Sequence, residues 1–149
     1  MIRKATVDDV KQIQKLVNYY AKREKMLPRS LNEIYENIRD FFVYVEGKKV
    51  CGCCALHVDW EDLAEIRSLA VSKSMTGRGI GAKLLDTCLK DARALKIKKI
   101  FALTYVPEFF KNFGFKIINK NMLPHKIWSD CIKCAYFPNC KEIAMMKEI

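Results

Sequence analysis

Gly77, Gly79 and Gly81 stand at alternate positions between a strand-like stretch, Glu65-Ile-Arg-Ser-Leu-Ala-Val71, and a helical one that continues Ala-Lys-Leu-Leu-Asp-Thr-Cys-Leu. Glycine lets the main chain turn through positive φ and lets a ligand approach closely. The helix that follows offers N–H groups without intrahelical partners and a positive dipole end, a combination suited to phosphate. A second set of chemistry-bearing residues lies late in the chain, where Cys131-x2-Cys134-x5-Cys140 follows His125. These are zinc-ligand types, but the spacing matches no standard finger. Zinc, free thiols, and a Cys131–Cys134 or Cys134–Cys140 disulfide therefore stay open, and no metal is assigned. Arg29 follows Pro28 in a constrained segment, where a guanidinium can hold a carboxylate through two parallel hydrogen bonds.

The elements that must position these residues follow from periodicity and punctuation. Ile2–Ala5 reads as a short strand, and Thr6 to Asp9 has capping-box spacing. Val10, Ile13, Leu16, Val17 and Tyr20 recur at helical spacing, predicting a helix to about Lys25. A second capping box, Ser30 to Glu33, opens a short helix through Ile38. Phe41–Val45 and Val50–Val58 flank a Glu-Gly-Lys-Lys turn and form a hairpin, with Leu63–Val71 as the next strand. After the glycine loop, Leu84, Leu85, Cys88, Leu89 and Ala92 share one face of a helix that runs to about Leu95. Ile100–Thr104 is a strand, Pro107 opens a short helix closed at Gly114, Phe115–Ile118 is a strand, residues 119–140 form a long loop, and Glu142–Lys147 is the final strand. The order β-α-α-β-β-β-α-β-α-β-β implies a mixed sheet with helices on its faces.

Composition narrows the function. The chain of 149 residues is sized for one domain, 1–149, with a continuous core. No apolar run approaches the ~20 residues a membrane span needs, and the first residues carry no apolar stretch of the signal type. The expectation is a soluble cytoplasmic protein without a membrane partner. Lys and Arg outnumber Asp and Glu by 27 to 17, a net charge of +10. A polyanionic ligand or a solvated Lys-rich surface accounts for it, because there is no basic run with interleaved aromatics and no nucleic-acid motif. Seven cysteines cannot all pair within the chain, and Cys51, Cys53, Cys54 and Cys88 read as buried, reduced thiols.

Taken together, Ile-Arg-Lys-Ala-Thr at the start, Leu-Ala-Val before the loop, Gly-Arg-Gly-Ile-Gly leading the helix and Phe-Lys-Asn-Phe-Gly-Phe near residue 113 resemble the GNAT superfamily of acyl-CoA N-acyltransferases over nearly the whole length. That resemblance implies an α/β (α+β) fold with a mixed, mostly antiparallel central sheet of about seven strands and about four flanking helices. It implies acetyl-CoA as cosubstrate. Leu69, Ala70 and Val71 would meet the pantetheine arm through main-chain groups, Thr76, Gly77, Arg78, Gly79, Ile80 and Gly81 would surround the pyrophosphate, and Phe113 would lie beside the cofactor. The family usually has Arg or Gln where Thr76 stands, and Tyr where Phe110 stands.

A narrower resemblance, to short amino-acid N-acetyltransferases of the N-acetylglutamate synthase type, rests on Leu27-Pro-Arg-Ser30, Glu65–Val71, Leu103-Thr104 and the stretch from Leu123 to Cys134. It implies a small amino-acid acceptor whose carboxylate is bound by Arg29. As cations, Arg67 and Lys126 are further candidates for the acceptor carboxylates, a solvated surface charge being the competing reading of each. Glu65 is the implied base and Thr104, with Tyr105 beside it, the implied source of a proton. Strand alternation places Glu65, Arg67 and Leu69 on one face. A neighbouring Arg67 predicts a lowered Glu65 pKa, and an ion pair without catalytic role is the competing reading of these two residues. Glutamate as acceptor, in the first step of arginine synthesis, is the leading expectation. The alternatives are another small amine, a protein N-terminus, or a catalytically weak CoA-binding regulatory module. A homodimer is left open.

Overall fold

The structure is a computed structural model and describes residues 1–123 and 142–149. Seven strands form one sheet in the order β1-β2-β3-β4-β5-β7-β6. They are β1 (Ile2–Lys4), β2 (Phe41–Glu46), β3 (Lys49–Trp60), β4 (Leu63–Val71), β5 (Lys99–Thr104), β6 (Lys116–Ile117) and β7 (Ile143–Glu148). Every neighbouring pair is antiparallel except β4 and β5. The four α-helices among the described residues are α1 (Val10–Ala21), α2 (Leu31–Glu36), α3 (Ile80–Ala94) and α4 (Pro107–Lys111). The sheet is mixed and mostly antiparallel, and element order matches the reading from sequence throughout.

Two apolar layers hold the helices to the sheet. On one face Val10, Ile13 and Val17 of α1 and Ile34 of α2 pack on Val43, Cys53, Ala55 and Ala70. On the other, Leu84, Leu85, Cys88 and Leu89 of α3 and Phe110 of α4 pack on Cys54, Leu56, Ala64, Ile66, Ile100 and Met145. Leu84 and Leu85 are fully buried, and burial of such a side chain stabilises by about 1.5–3 kcal/mol. Cys51, Cys53, Cys54 and Cys88 are buried free thiols. Burial pushes the Cys53 thiol up to about 12. Cys54 is raised by its contact with the Cys88 thiol and by burial. Neither is a thiolate at neutral pH, so neither is a nucleophile.

The caps form where the sequence places them. The Thr6 N–H donates to Asp9 Oδ2 at 2.8 Å, opening a 3-10 turn that leads into α1. Ser30 Oγ accepts the Glu33 N–H at 3.1 Å at the start of α2. Helix α1 stops at Ala21, short of the expected Lys25, because residues 22–25 turn back and Glu24 adopts φ +57°. That turn starts the segment that brings Arg29 over the sheet.

The main departure from simple alternation lies in β4. Cys53 pairs with Ala70 and Ala55 with Arg67, so Cys54 faces two residues, Ser68 and Leu69. This is a β-bulge, and Ser68 carries it at φ +53°. A bulge reverses which face later residues present. Ala64 and Ile66 face the α3 layer and Glu65 and Arg67 the other side; beyond the bulge Leu69 and Val71 pack on the α3 layer and Ala70 on the α1 layer. The expectation that Leu69 shares a face with Glu65 is thus overturned.

Candidate active site

The bulge also opens the sheet. β4 and β5 pair from Leu63–Lys99 to Ile66–Ala102 and no further. β5 continues through Leu103 and Thr104 on its pairing with β7. The Ser72 N–H donates to Cys51 C=O at 2.7 Å. Antiparallel alternation then turns the main-chain groups of Val71 and Leu69 away from β3, toward the side β5 has left. A cleft open to solvent fills this gap, about 660 Å³ with its open mouth included, lined by Leu69, Ser68, Arg67 and Glu65 of β4, Leu103 and Thr104 of β5, Tyr105, Phe110 and Glu142. Lys25, Met26, Leu27 and Arg29, from the segment after α1, close its other wall.

At the end of β4 the chain passes through a short 3-10 turn, Lys73–Met75, into the glycine loop. Gly77 and Gly79 adopt φ +82° and +75°, so the loop curls and α3 begins at Ile80 with no side-chain cap. Among the described residues, no amide from Gly77 to Ala82 has a hydrogen-bond acceptor. A run of unpartnered N–H groups at a helix start is a phosphate cradle. The chemistry of this donor set fits a pyrophosphate. Main-chain groups carry the fit: the Thr76 hydroxyl donates to Lys73 C=O at 2.9 Å, and the Ile80 side chain is buried in the core. Arg78 is exposed beside the loop. Phe113 packs at the edge of the α3 layer, 5.3 Å from the Phe109 ring. Phe109, rather than Phe113, covers the helix start, since a Cβ on Gly81 would lie 3.7 Å from its ring and 3.7 Å from Val71.

Glu65 is buried at the closed end of the gap. Arg67 Nε donates to its Oε1 at 2.6 Å. The Glu65 pKa is nonetheless raised. Burial is the largest cause and the charge on Asp59 adds to it, outweighing the charge and hydrogen bond of Arg67 and the charge of Arg29. The expectation of a lowered pKa is therefore corrected: it weighed the partner and left out the desolvation of a carboxylate inside the sheet. Thr104 is buried, and its Oγ1 accepts the Val106 N–H at 2.9 Å, leaving the hydroxyl proton free to be donated. Arg29 reaches Glu33 Oε2 with Nη1 at 3.2 Å and also borders a second, smaller hollow that includes Asn37, Asp40, Arg67 and Ser68.

The structure thus brings Glu65, Arg67, Leu69, Thr104, Tyr105 and Arg29 to one cleft, with the loop from Thr76 to Gly81 beyond the end of β4. Lys126, His125, Cys131, Cys134 and Cys140 lie outside the described residues. Sequence reading missed His57, which stands opposite Glu65 in the β3–β4 register and has Asp40 Oδ2 2.7 Å from Nδ1. It also missed Glu142 and the apolar wall of Met26, Leu27 and Leu103. Period-two alternation on β3 was the available signal for His57. Nothing in the sequence marks Glu142.

A cleft between two diverging strands, with a phosphate cradle at one end and a buried carboxylate at the other, is suited to enzymes that draw an acyl group from a nucleotide-bearing thioester. Residues 7–115 match the Acetyltransferase (GNAT) family, and the chain belongs to it. An uncharacterized N-acetyltransferase of Chlorobaculum tepidum is 40% identical over 148 residues, 99% of this chain and 96% of that protein. The amino-acid acetyltransferase of Mycobacterium tuberculosis is 38% identical over 133 residues, 87% of this chain and 76% of that protein. A Mycobacterium tuberculosis crystal structure in complex with CoA is similar with a TM-score of 0.87 at 33% identity, over 100% of this chain and 99% of that one. N-acetylglutamate synthase from Neisseria gonorrhoeae, complexed with CoA and N-acetyl-glutamate, gives a TM-score of 0.90 at 27% identity. That match takes in 99% of this chain but only 34% of the synthase.

Proposed function

We propose that the protein transfers acetyl from acetyl-CoA to the α-amino group of an amino acid, with L-glutamate as the acceptor and N-acetyl-L-glutamate as the product, the first step of arginine synthesis. The observation that carries this reading is the placement of a buried carboxylate, Glu65, and a guanidinium, Arg29, on the walls of one cleft that opens beside Leu69. The names of the Mycobacterium tuberculosis and Neisseria gonorrhoeae relatives support the acceptor class.

The chemistry needs few groups. The amides of the loop, Gly77 to Ala82, hold the pyrophosphate, and the main chain of Leu69 and Val71 aligns the pantetheine arm along the open edge of β4. Arg29 holds an acceptor carboxylate and so aims the amine toward Glu65. A raised pKa makes Glu65 a stronger base than a solvated glutamate, and it takes the amine proton directly or through a water. As the new N–C bond forms, the oxyanion is met by the Leu69 N–H. The C–S bond then breaks, and the thiolate takes a proton by way of Thr104 or Tyr105. A thiol pKa of about 8.5 makes that last step undemanding, which matters because Phe110 lines the cleft without a hydroxyl. The same Phe110 favours a second reading, a CoA-binding module with weak catalysis.

A thiol-release assay with acetyl-CoA and a panel of acceptors separates these readings. Turnover with glutamate is expected. Turnover confined to amines such as spermidine would overturn the acidic acceptor, and CoA binding without turnover on any acceptor would favour the regulatory module.

A further inference from the structure

Tyr20, a residue that sequence periodicity marks only as part of an apolar helix face, touches both halves of the site. Its hydroxyl donates to the carbonyl of Val71, the last residue of β4. Val71 is where the donor side converges, because its side chain lies 3.7 Å from the Cβ position of Gly81 at the start of α3. At the same time the main-chain carbonyl of Tyr20 accepts the N–H of Arg23 at 3.0 Å and of Lys25 at 3.1 Å. Those two bonds fix the turn that leaves α1 and carries Lys25, Met26, Leu27 and Arg29 to the acceptor wall. The ring is half-buried against the α1 layer, and burial keeps the phenol protonated and able to donate.

We propose that Tyr20 is a positioning residue that couples the two halves: occupation of the donor cleft is transmitted through the Val71 carbonyl and the Tyr20 hydroxyl to the acceptor segment 22–29. Among the described residues the segment's other ties include Lys22 to the Asn18 carbonyl, Arg23 to Tyr19, Gln14 to the Arg29 carbonyl, the Arg29–Glu33 ion pair, and Met26 packed on the α1 layer, and no hydrogen bond or ion pair among these reaches β4. Amine and thioester carbonyl must be held at near-attack distance, and a hydrogen-bonded bridge from the end of β4 to the start of the acceptor segment helps supply that geometry. The inference needs only coenzyme A on the donor side and does not depend on which amine is the acceptor.

The test is amide hydrogen exchange of residues 22–29 with and without CoA, in the native protein and in Tyr20→Phe, which keeps the ring and removes the hydroxyl. The native protein is expected to show exchange of this segment slowed about threefold or more by CoA. In Tyr20→Phe the slowing disappears although CoA still binds within about twofold of the native affinity, because the loop amides are untouched. Protection by CoA that persists in Tyr20→Phe overturns the proposal, as does absence of protection in the native protein. Tyr20→Trp, which keeps an aromatic N–H donor in the layer, serves if Phe does not fold. It is expected to retain protection, and its loss there with CoA still bound would also count against the bridge.

Discussion

Gly79→Ala isolates the conformation of the phosphate loop from its sterics. Gly79 sits at φ +75°, and a Cβ built on it meets nothing within 4 Å. The substitution therefore introduces no clash, only the strain of an L residue in the left-handed region, about 1–2 kcal/mol. In the free protein the loop can relax toward negative φ, since no amide from Gly77 to Ala82 is tied to any of the described residues. Binding must then restore the curl, so the strain is charged to affinity. At 1.36 kcal/mol per tenfold, CoA should bind about 5–30 times more weakly. Gly47 is the matched control, at φ +61° with nothing within 4 Å of its Cβ position. It lies in the β2–β3 hairpin turn, where strand pairing on both sides forbids relaxation. Gly47→Ala should lose stability by a similar amount and keep its CoA affinity. Titration calorimetry with CoA and thermal melts on the two variants read both quantities. CoA affinity of Gly79→Ala within twofold of the native protein would refute the assignment of the loop amides to the pyrophosphate.

Glu65→Gln should lower kcat by about 10²–10⁴ while leaving the CoA dissociation constant unchanged, as measured by steady-state kinetics and calorimetry. The same variant tests the raised Glu65 pKa: a group raised in the folded state stabilises below its unfolded value and loses that contribution as pH rises through the folded one. The melting temperature of Glu65→Gln relative to the native protein should therefore climb from acid to neutral pH. Asp9 has the opposite sign, its pKa lowered first by the Arg3 hydrogen bond, with Nη1–Oδ2 at 2.7 Å. Asp9→Asn should destabilise by about 1.5–3 kcal/mol at neutral pH in urea melts, with the gap closing as pH falls. Arg29→Ala should raise the acceptor KM about tenfold or more and leave the acetyl-CoA KM in place, because the charge-assisted bonds it removes lie on the acceptor wall.

The readable part of this fold is the part governed by local rules. Thr6 and Ser30 announced their helices because a hydroxyl or carboxylate three residues away satisfies end amides. Gly77 and Gly79 announce the loop because left-handed φ favours glycine, whereas Gly81 would take a Cβ at ordinary contact distance. The bulge at Ser68 was not readable, since a serine at φ +53° is held there by strand pairing on one side and a vacated neighbour on the other. That one residue decides which way Leu69 faces and where the sheet opens. The Glu65 pKa was misjudged for the same reason: the partner, Arg67, is two positions away in sequence, whereas the burial comes from strands and segments distant in the chain. His57 stands opposite Glu65, and Tyr20 reaches Val71, only through the sheet register and a helix packed across it.

The most direct measurement of the central claim is mass analysis of the product after incubation with acetyl-CoA and isotopically labelled L-glutamate. The account predicts N-acetyl-L-glutamate in amounts equal to the CoA released from the native protein, and about 10²-fold less or lower still from Glu65→Gln in the same time. CoA released with the labelled glutamate recovered unmodified would contradict it.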